Sequence, residues 1–274
     1  MRALTQIDEI LALVASIRPN ANRFVTNLFA SREQMQQWAD RGALSVWETE
    51  RGLLVLRRDR DLQRLYHVAA DAAELAPLLE VLSATGPPTE VVVDLIGISG
   101  QNEAVASAYR AHGFSDYAKL LRMRRLPPRA THRQRGNSPP GFASPDDLET
   151  VSTFLGRVLD RFRDQIPDAD ELREAISRRG VLVERSDGAI GGLLLFEDTG
   201  LTSLLRYWYV DPDRCNRGVG GRLMKAYLGL CPEQSRNLVW VVRDNVDAIA
   251  KYRHYGFQED SLTDQILLRR STLG

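Results

Sequence analysis

The sequence predicts an α/β protein, α+β in its mixed sheets, made of two tandem copies of one domain. Three observations carry this. Strand-like and helix-like patterns alternate along the 274 residues. One word occurs twice, Tyr109-Arg110-Ala111-His112-Gly113-Phe114 and Tyr252-Arg253-His254-Tyr255-Gly256-Phe257. With Asn102 and Asn245, the matched positions share one offset of 143 (245−102, 252−109, 256−113 and 257−114), which marks a duplicated unit. Finally, Tyr209-Val210-Asp211-Pro212 ends a strand-like run, and Gly218, Gly220 and Gly221 open a helical one.

The elements follow in order. The first copy spans 1–126. In Met1–Arg18, the positions Ile7, Ile10, Leu11, Val14 and Ile17 share one helix face. Asp8 and Glu9 interrupt the apolar core that a signal peptide would need, so this is read as a folded helix. Ala43–Thr49, Leu53–Arg57 and Leu65–Ala69 form a meander, Ala73–Leu82 a helix, and Val91–Leu95 a strand. The first repeated word follows, then a strand candidate at Leu120–Leu126. Residues 127–141 are rich in proline and arginine, lack periodicity, and read as a linker.

The second copy spans 142–274. Asp146–Asp160 and Asp168–Ser177 read as helices opening on acidic residues, which suit a helix N-terminus. Val181–Glu184 and Ala189–Phe196 are strands joined at Ser186-Asp187-Gly188, and Leu201–Val210 is a longer strand that Pro212 stops. Val219, Leu223, Ala226 and Leu230 recur at helical spacing. Leu238–Val242 is a strand, the second word a helix, and Gln265–Arg269 the last strand.

Composition narrows the function. Acidic and basic residues balance at 36 each, so net charge gives no argument for a nucleic-acid partner. Cys215 and Cys231 lack metal-site spacing, and no metal is expected. No apolar run approaches a membrane span, and the expected location is cytoplasmic.

A strand running through a proline loop into a glycine-opened helix builds an anion site. Glycine lets a phosphate approach the backbone, and the first helical turn offers unpaired N–H groups. The stretch Tyr209–Leu223 resembles the acyl-CoA pyrophosphate loop of the GNAT N-acetyltransferases. Asn245, Ala248, Tyr252, Gly256 and Phe257 resemble that family's second motif. The resemblance covers roughly 142–270 and implies two tandem GNAT-like domains, the second catalytic. It also implies an enzyme that moves an acetyl group from acetyl-CoA to an amine acceptor by direct attack.

Carried over residue by residue, the resemblance implies that the backbone of Arg217, Gly218, Val219, Gly220 and Gly221 cradles the pyrophosphate. Arg214, Arg217 and Arg222 add charge toward the nucleotide phosphates. The strand end at Tyr209 and Val210 holds the pantetheine arm, Asn245 contacts that arm, and Tyr252 is the general acid that protonates the departing thiolate. Cys215 departs from the family's usual Gln or Arg, and Asn216 from a common glycine.

Many relatives place a glutamate on the strand before the phosphate loop. Here Leu204–Trp208 holds no carboxylate. Glu184, Glu197, Asp198, His254 or a water chain are the remaining base candidates. In the first copy the phosphate junction reads His67–Glu74 without glycine, and Asp71 and Glu74 would repel an anion there. That copy is therefore expected not to bind CoA. Two other readings stay open: a non-catalytic acyl-CoA sensor or regulatory protein, and an aminoacyl-tRNA-dependent transferase. Acceptor, acyl length and oligomeric state are not readable from the residues.

Overall fold

In the computed structural model the period-2 runs form strands and the amphipathic runs form helices. It describes residues 2–3, 6–18, 21, 23–126, 140–186, 188–212, 218–231 and 236–271. The Pro/Arg-rich residues 127–139 and the loop 213–217 lie outside them. The chain divides into unit 1, Met1–Leu120 with Ser261–Gly274, and unit 2, Leu121–Asp260.

The first half of the chain gives, in order, β1 (Arg2–Ala3), α1 (Ile7–Ile17), β2 (Val25–Thr26), α2 (Arg32–Asp40), β3 (Leu44–Thr49), β4 (Gly52–Asp59), β5 (Leu62–Ala69), α3 (Leu75–Thr85), β6 (Val91–Ile98), α4 (Glu103–Ala111) and β7 (Ser115–Arg125). The second half gives β8 (Gly141–Phe142), α5 (Leu148–Val158), α6 (Ala169–Ser177), β9 (Val181–Ser186), β10 (Ala189–Asp198), β11 (Thr202–Val210), α7 (Val219–Leu230), β12 (Arg236–Val242), α8 (Val246–His254) and β13 (Gln258–Arg269). The helix expected from Asp146 begins as a 3-10 turn, Pro145–Asp147, and becomes α-helical at Leu148. Asp168 caps α6 by accepting from the N–H groups of Asp170 and Glu171, both at 2.9 Å.

The sheet of unit 1 runs β1-β3-β4-β5-β6-β13, and β2 adds to β5. One face packs on α3 and α4 around Leu79, Val93, Leu95 and Tyr109. The other packs on α1 and α2 around Ile10, Trp38, Val55 and Val68. In unit 2, β12-β11-β10-β9-β8 continue from the second part of β7. Leu205, Leu223, Val239 and Tyr252 fill the face toward α7 and α8. Val151, Phe154, Leu172 and Leu193 fill the face toward α5 and α6.

One strand departs from a linear order of the two copies. The last strand pairs antiparallel with β6, from Leu262 opposite Ile98 to Arg269 opposite Val91. Residues 261–269 thus complete the sheet of unit 1, although the repeat assigns them to the second copy. The apolar run Val91-Val92-Val93 needs a covered edge. Ile266, Leu267 and Leu268 cover it and are buried there. Their apolar character alone does not reveal which copy's sheet they join.

The repeated word has a structural cause. Gly113 and Gly256 both have φ of 86°, a left-handed conformation that favours glycine. In each copy the Phe N–H then turns back to the Tyr carbonyl, Phe114 to Tyr109 at 3.2 Å and Phe257 to Tyr252 at 3.1 Å. The word therefore contains a helix stop as well as a tyrosine.

Candidate active site

Strand β11 is the centre of the candidate site. Its alternation sends Tyr207 and Tyr209 toward α5 and α6, and Trp208 and Val210 toward α7 and α8. A bulge opposite Leu195/Phe196 leaves Arg206 as the extra residue, since Leu195 faces Tyr207 and Phe196 faces Leu205. β11 pairs in parallel with β12 only from Thr202–Arg236 to Leu205–Val239. Past those residues the pairing stops, so the two strands diverge into a wedge beside Tyr207 to Val210.

Helix α7 begins beside the wedge. Its N-cap, Gly218, has φ of 70°, and among the described residues no side chain caps the helix. A Cβ on Gly220 would lie 3.2 Å from both Trp208 and Val210, and one on Gly221 would lie 3.3 Å from Tyr255 Oη. Gly192 would meet Val219 at 2.7 Å. Glycine at these positions lets the first turn of α7 sit directly on the strands, with its leading N–H groups outside the helical hydrogen bonds. Val219, at the start of α7, is buried. Arg217 lies outside the described residues, as do Arg214, Cys215 and Asn216.

Arg222 is held by Glu184 of β9, with Nε 2.6 Å from Oε1 and Nη2 on the same oxygen. A residue expected at the nucleotide phosphates and a candidate base are thus partners in one ion pair. Glu197 pairs with the bulged Arg206, whose guanidinium also donates to the Gln165 carbonyl at 2.8 Å. Asp198 closes a turn by accepting from the Gly200 N–H at 2.8 Å. His254 stacks edge-on against Tyr255 at 5.0 Å. Every candidate base therefore has a local structural engagement.

Tyr252 lies on α8, 7% exposed, with Trp208 and Phe257 rings each 5.6 Å away. Burial pushes its phenol pKa up, so it stays protonated. Its hydroxyl makes no hydrogen bond among the described residues. Asn245 caps α8, its Oδ1 accepting from the Ala248 N–H at 3.0 Å. Tyr209 packs edge-on against Phe154 of α5 at 5.5 Å.

Unit 1 holds the same arrangement with its openings filled. β5 pairs with β6 only at Gln63–Val91 and Arg64–Val92, and β2 takes the vacated edge, with Val25 opposite Ala69 and Thr26 opposite Val68. Asn27, 6% exposed, bridges the gap. Its Nδ2 donates to the carbonyls of Leu65 on β5 (3.1 Å) and Asp94 on β6 (3.0 Å). Its Oδ1 accepts from the His67 N–H at 2.6 Å. At the turn into α3, the Asp71 carboxylate accepts from the N–H groups of Ala73 (2.9 Å) and Glu74 (3.2 Å), the donors an anion would need. Glu74 is paired with Arg51 at 2.7 Å. Tyr109 Oη shares a hydrogen bond with His67 Nδ1 at 3.0 Å. Among the described residues no segment of unit 2 pairs with β11 as β2 does with β5.

The acidic junction of the first copy was readable in sequence; the Asn27 segment and the role of Trp208 were not. The sequence offset of 143 sets His67 against Val210; His67 and Trp208 correspond only through their ring contacts with Tyr109 and Tyr252. Nothing near Asn27 in sequence signals that it meets β5 and β6.

Among the described residues, no group of three or more His, Cys, Asp or Glu side chains is placed to hold a metal ion. No described helix is long and apolar enough to cross a membrane.

Residues 150–257 match the Acetyltransferase (GNAT) family. No functionally curated protein matches the chain. Among solved structures, a tandem GNAT protein from the clavulanic acid biosynthesis pathway superposes with a TM-score of 0.59 at 16% identity, covering 98% of this chain and 95% of that one. A GCN5-related N-acetyltransferase from Sphaerobacter thermophilus gives 0.57 at 14% identity over 97% and 94%. One from Kribbella flavida gives 0.55 at 15% over 86% and 92%. The chain thus carries a GNAT acetyltransferase-family domain at residues 150–257 and has the GNAT fold over nearly its whole length.

Proposed function

We propose that the second copy, within residues 142–274, is an acetyl-CoA-dependent N-acetyltransferase and that unit 1 is a non-binding copy. The contrast between the two wedges carries this reading. In unit 1 the gap, the anion-binding turn and the tyrosine hydroxyl all have occupants from the chain itself. In unit 2 the corresponding groups have no such occupant among the described residues: the edge of β11, the start of α7, and the Tyr252 hydroxyl.

In this reading the backbone of Arg217 to Gly221 holds the pyrophosphate. The edge of β11 at Tyr209 and Val210 holds the pantetheine arm, and the Asn245 amide borders it. Acetyl-CoA supplies the activated acyl group when bound. The acceptor amine attacks the thioester carbonyl and the C–S bond breaks; backbone N–H groups of β11 stabilise the oxygen, Tyr252 gives its proton to the departing sulfur, and the amine's proton leaves through a water chain, from which the phenol is reprotonated. Burial favours the neutral phenol, which keeps that proton in place. Tyr207 and Tyr209 line the side toward α5 and α6, where the acceptor would approach.

One observation favours a second reading, a non-catalytic acyl-CoA-binding protein: Glu184 and Glu197 are each engaged in an ion pair with an arginine. Calorimetric titration of acetyl-CoA followed by an amine screen separates the readings. One site per chain with turnover supports the enzyme; one site without turnover supports the sensor. Two sites would overturn the assignment of unit 1, and no site would remove the acyl-CoA reading.

A further inference from the structure

One buried hydrogen-bond donor in unit 2 lacks an acceptor beside the candidate acid. The Trp208 indole Nε1–H is buried and makes no hydrogen bond, and an indole nitrogen can only donate. The Tyr252 hydroxyl beside it is likewise without a partner among the described residues. The two rings lie 5.6 Å apart at 57°. Tyr255 closes the far side of the indole at 5.8 Å, and Nε1 is 3.4 Å from where a Cβ on Gly220 would sit. The indole therefore lies between the first turn of α7 and the tyrosine, on the part of β11 that has left β12.

Unit 1 gives an internal comparison. In unit 1 the ring facing the tyrosine is His67, 5.7 Å from Tyr109, and the two polar atoms satisfy each other at 3.0 Å. That pair is closed. In unit 2 a donor-only ring faces the tyrosine, and neither polar group has a hydrogen-bond partner among the described residues. Buried donors are nearly always paired, so the unpaired indole N–H points to a ligand that brings an acceptor. An acyl-CoA arm does so, because its amide and thioester carbonyls accept and carry no charge.

Resting on the acyl-CoA reading of unit 2, we propose that Trp208 is a cofactor-binding residue: its indole N–H donates to a carbonyl oxygen of the acyl-CoA arm seated between β11 and β12, beside Tyr252. Trp208 then fixes the arm while Tyr252 keeps its proton for the sulfur.

The test is calorimetric titration of acetyl-CoA into the intact protein, wild type against two variants. Trp208→Phe keeps an apolar ring and removes the donor. Trp208→benzothienylalanine keeps the bicyclic shape and replaces N–H with sulfur. Both should weaken acetyl-CoA about tenfold, the value of one hydrogen bond of ordinary strength, while near-UV circular dichroism of the isostere matches wild type. If the sulfur isostere binds as tightly as wild type, the N–H holds nothing and the proposal is overturned, even if Trp208→Phe binds weakly through lost volume. Wild-type protein that binds no acetyl-CoA would bring down the acyl-CoA reading itself, and this inference with it. The wild-type titration alone tells those two failures apart.

Discussion

Replacing Asn27 with alanine tests whether the chain itself fills the wedge of unit 1. The side chain makes three hydrogen bonds, to Leu65 O, Asp94 O and the His67 N–H. Alanine leaves the His67 N–H buried without an acceptor, at a cost of about 1–3 kcal/mol. The two carbonyls each lose a donor, at about 0.5–1 kcal/mol apiece. The sum is about 2–5 kcal/mol, concentrated in unit 1. Urea unfolding followed by far-UV circular dichroism reads it, with acetyl-CoA affinity expected to be unchanged. Asn27→Asp adds a sign. Its carboxylate would face two carbonyl oxygens in a buried site, so its folded pKa rises above the unfolded value. Its stability relative to wild type is then best below the unfolded pKa, near 4, and falls as pH rises through the folded pKa. A loss below about 0.5 kcal/mol for Asn27→Ala, the range of an uninvolved surface position, would refute the bridging role.

Three further outcomes are expected. Tyr252→Phe should lower turnover about a hundredfold, within the usual range for a lost general acid, and leave acetyl-CoA affinity intact; undiminished turnover would end the acid assignment. Gly220→Ala places a methyl 3.2 Å from Trp208 and Val210, so thermal melts should show a loss of about 1–3 kcal/mol from overpacking, and Gly220→Val should abolish acetyl-CoA binding. The His67 imidazole is pushed down from 6.5 to about 3 by burial. Its contribution is present above pH 6.5 and is lost as pH falls toward about 3, at about 1.4 kcal/mol per pH unit. Urea titrations of wild type and His67→Gln between about pH 7 and 5 should therefore converge toward acid; parallel curves would contradict that burial effect.

The fold was legible because its signals are local. The meander strands, the Asp168 cap, and the glycines that end α4 and α8 each act within a few residues of their own position. The anion-binding turn was legible for the same reason, as was its loss at Asp71. What stayed hidden depends on distant partners. Asn27 meets Leu65 and Asp94 across 38 and 67 positions, and a two-residue strand such as Val25–Thr26 has no period to detect. Arg222 and Glu184 are 38 apart, so each looked available for another role. The role of Trp208 stayed hidden because an unmet N–H is a property of the packed state.

The strand that completes unit 1 also fixes when that unit can finish folding. β6 is made early, but its partner is encoded at residues 262–269, which are synthesised only after the whole of unit 2. Until then Val91-Val92-Val93 presents an open apolar edge, a template for other strands. The usual order, N-terminal domain first, is unavailable to this chain. Closing so distant a pairing also adds loop entropy and slows folding. A nascent chain halted before Leu262 is therefore the form most prone to associate with its own copies.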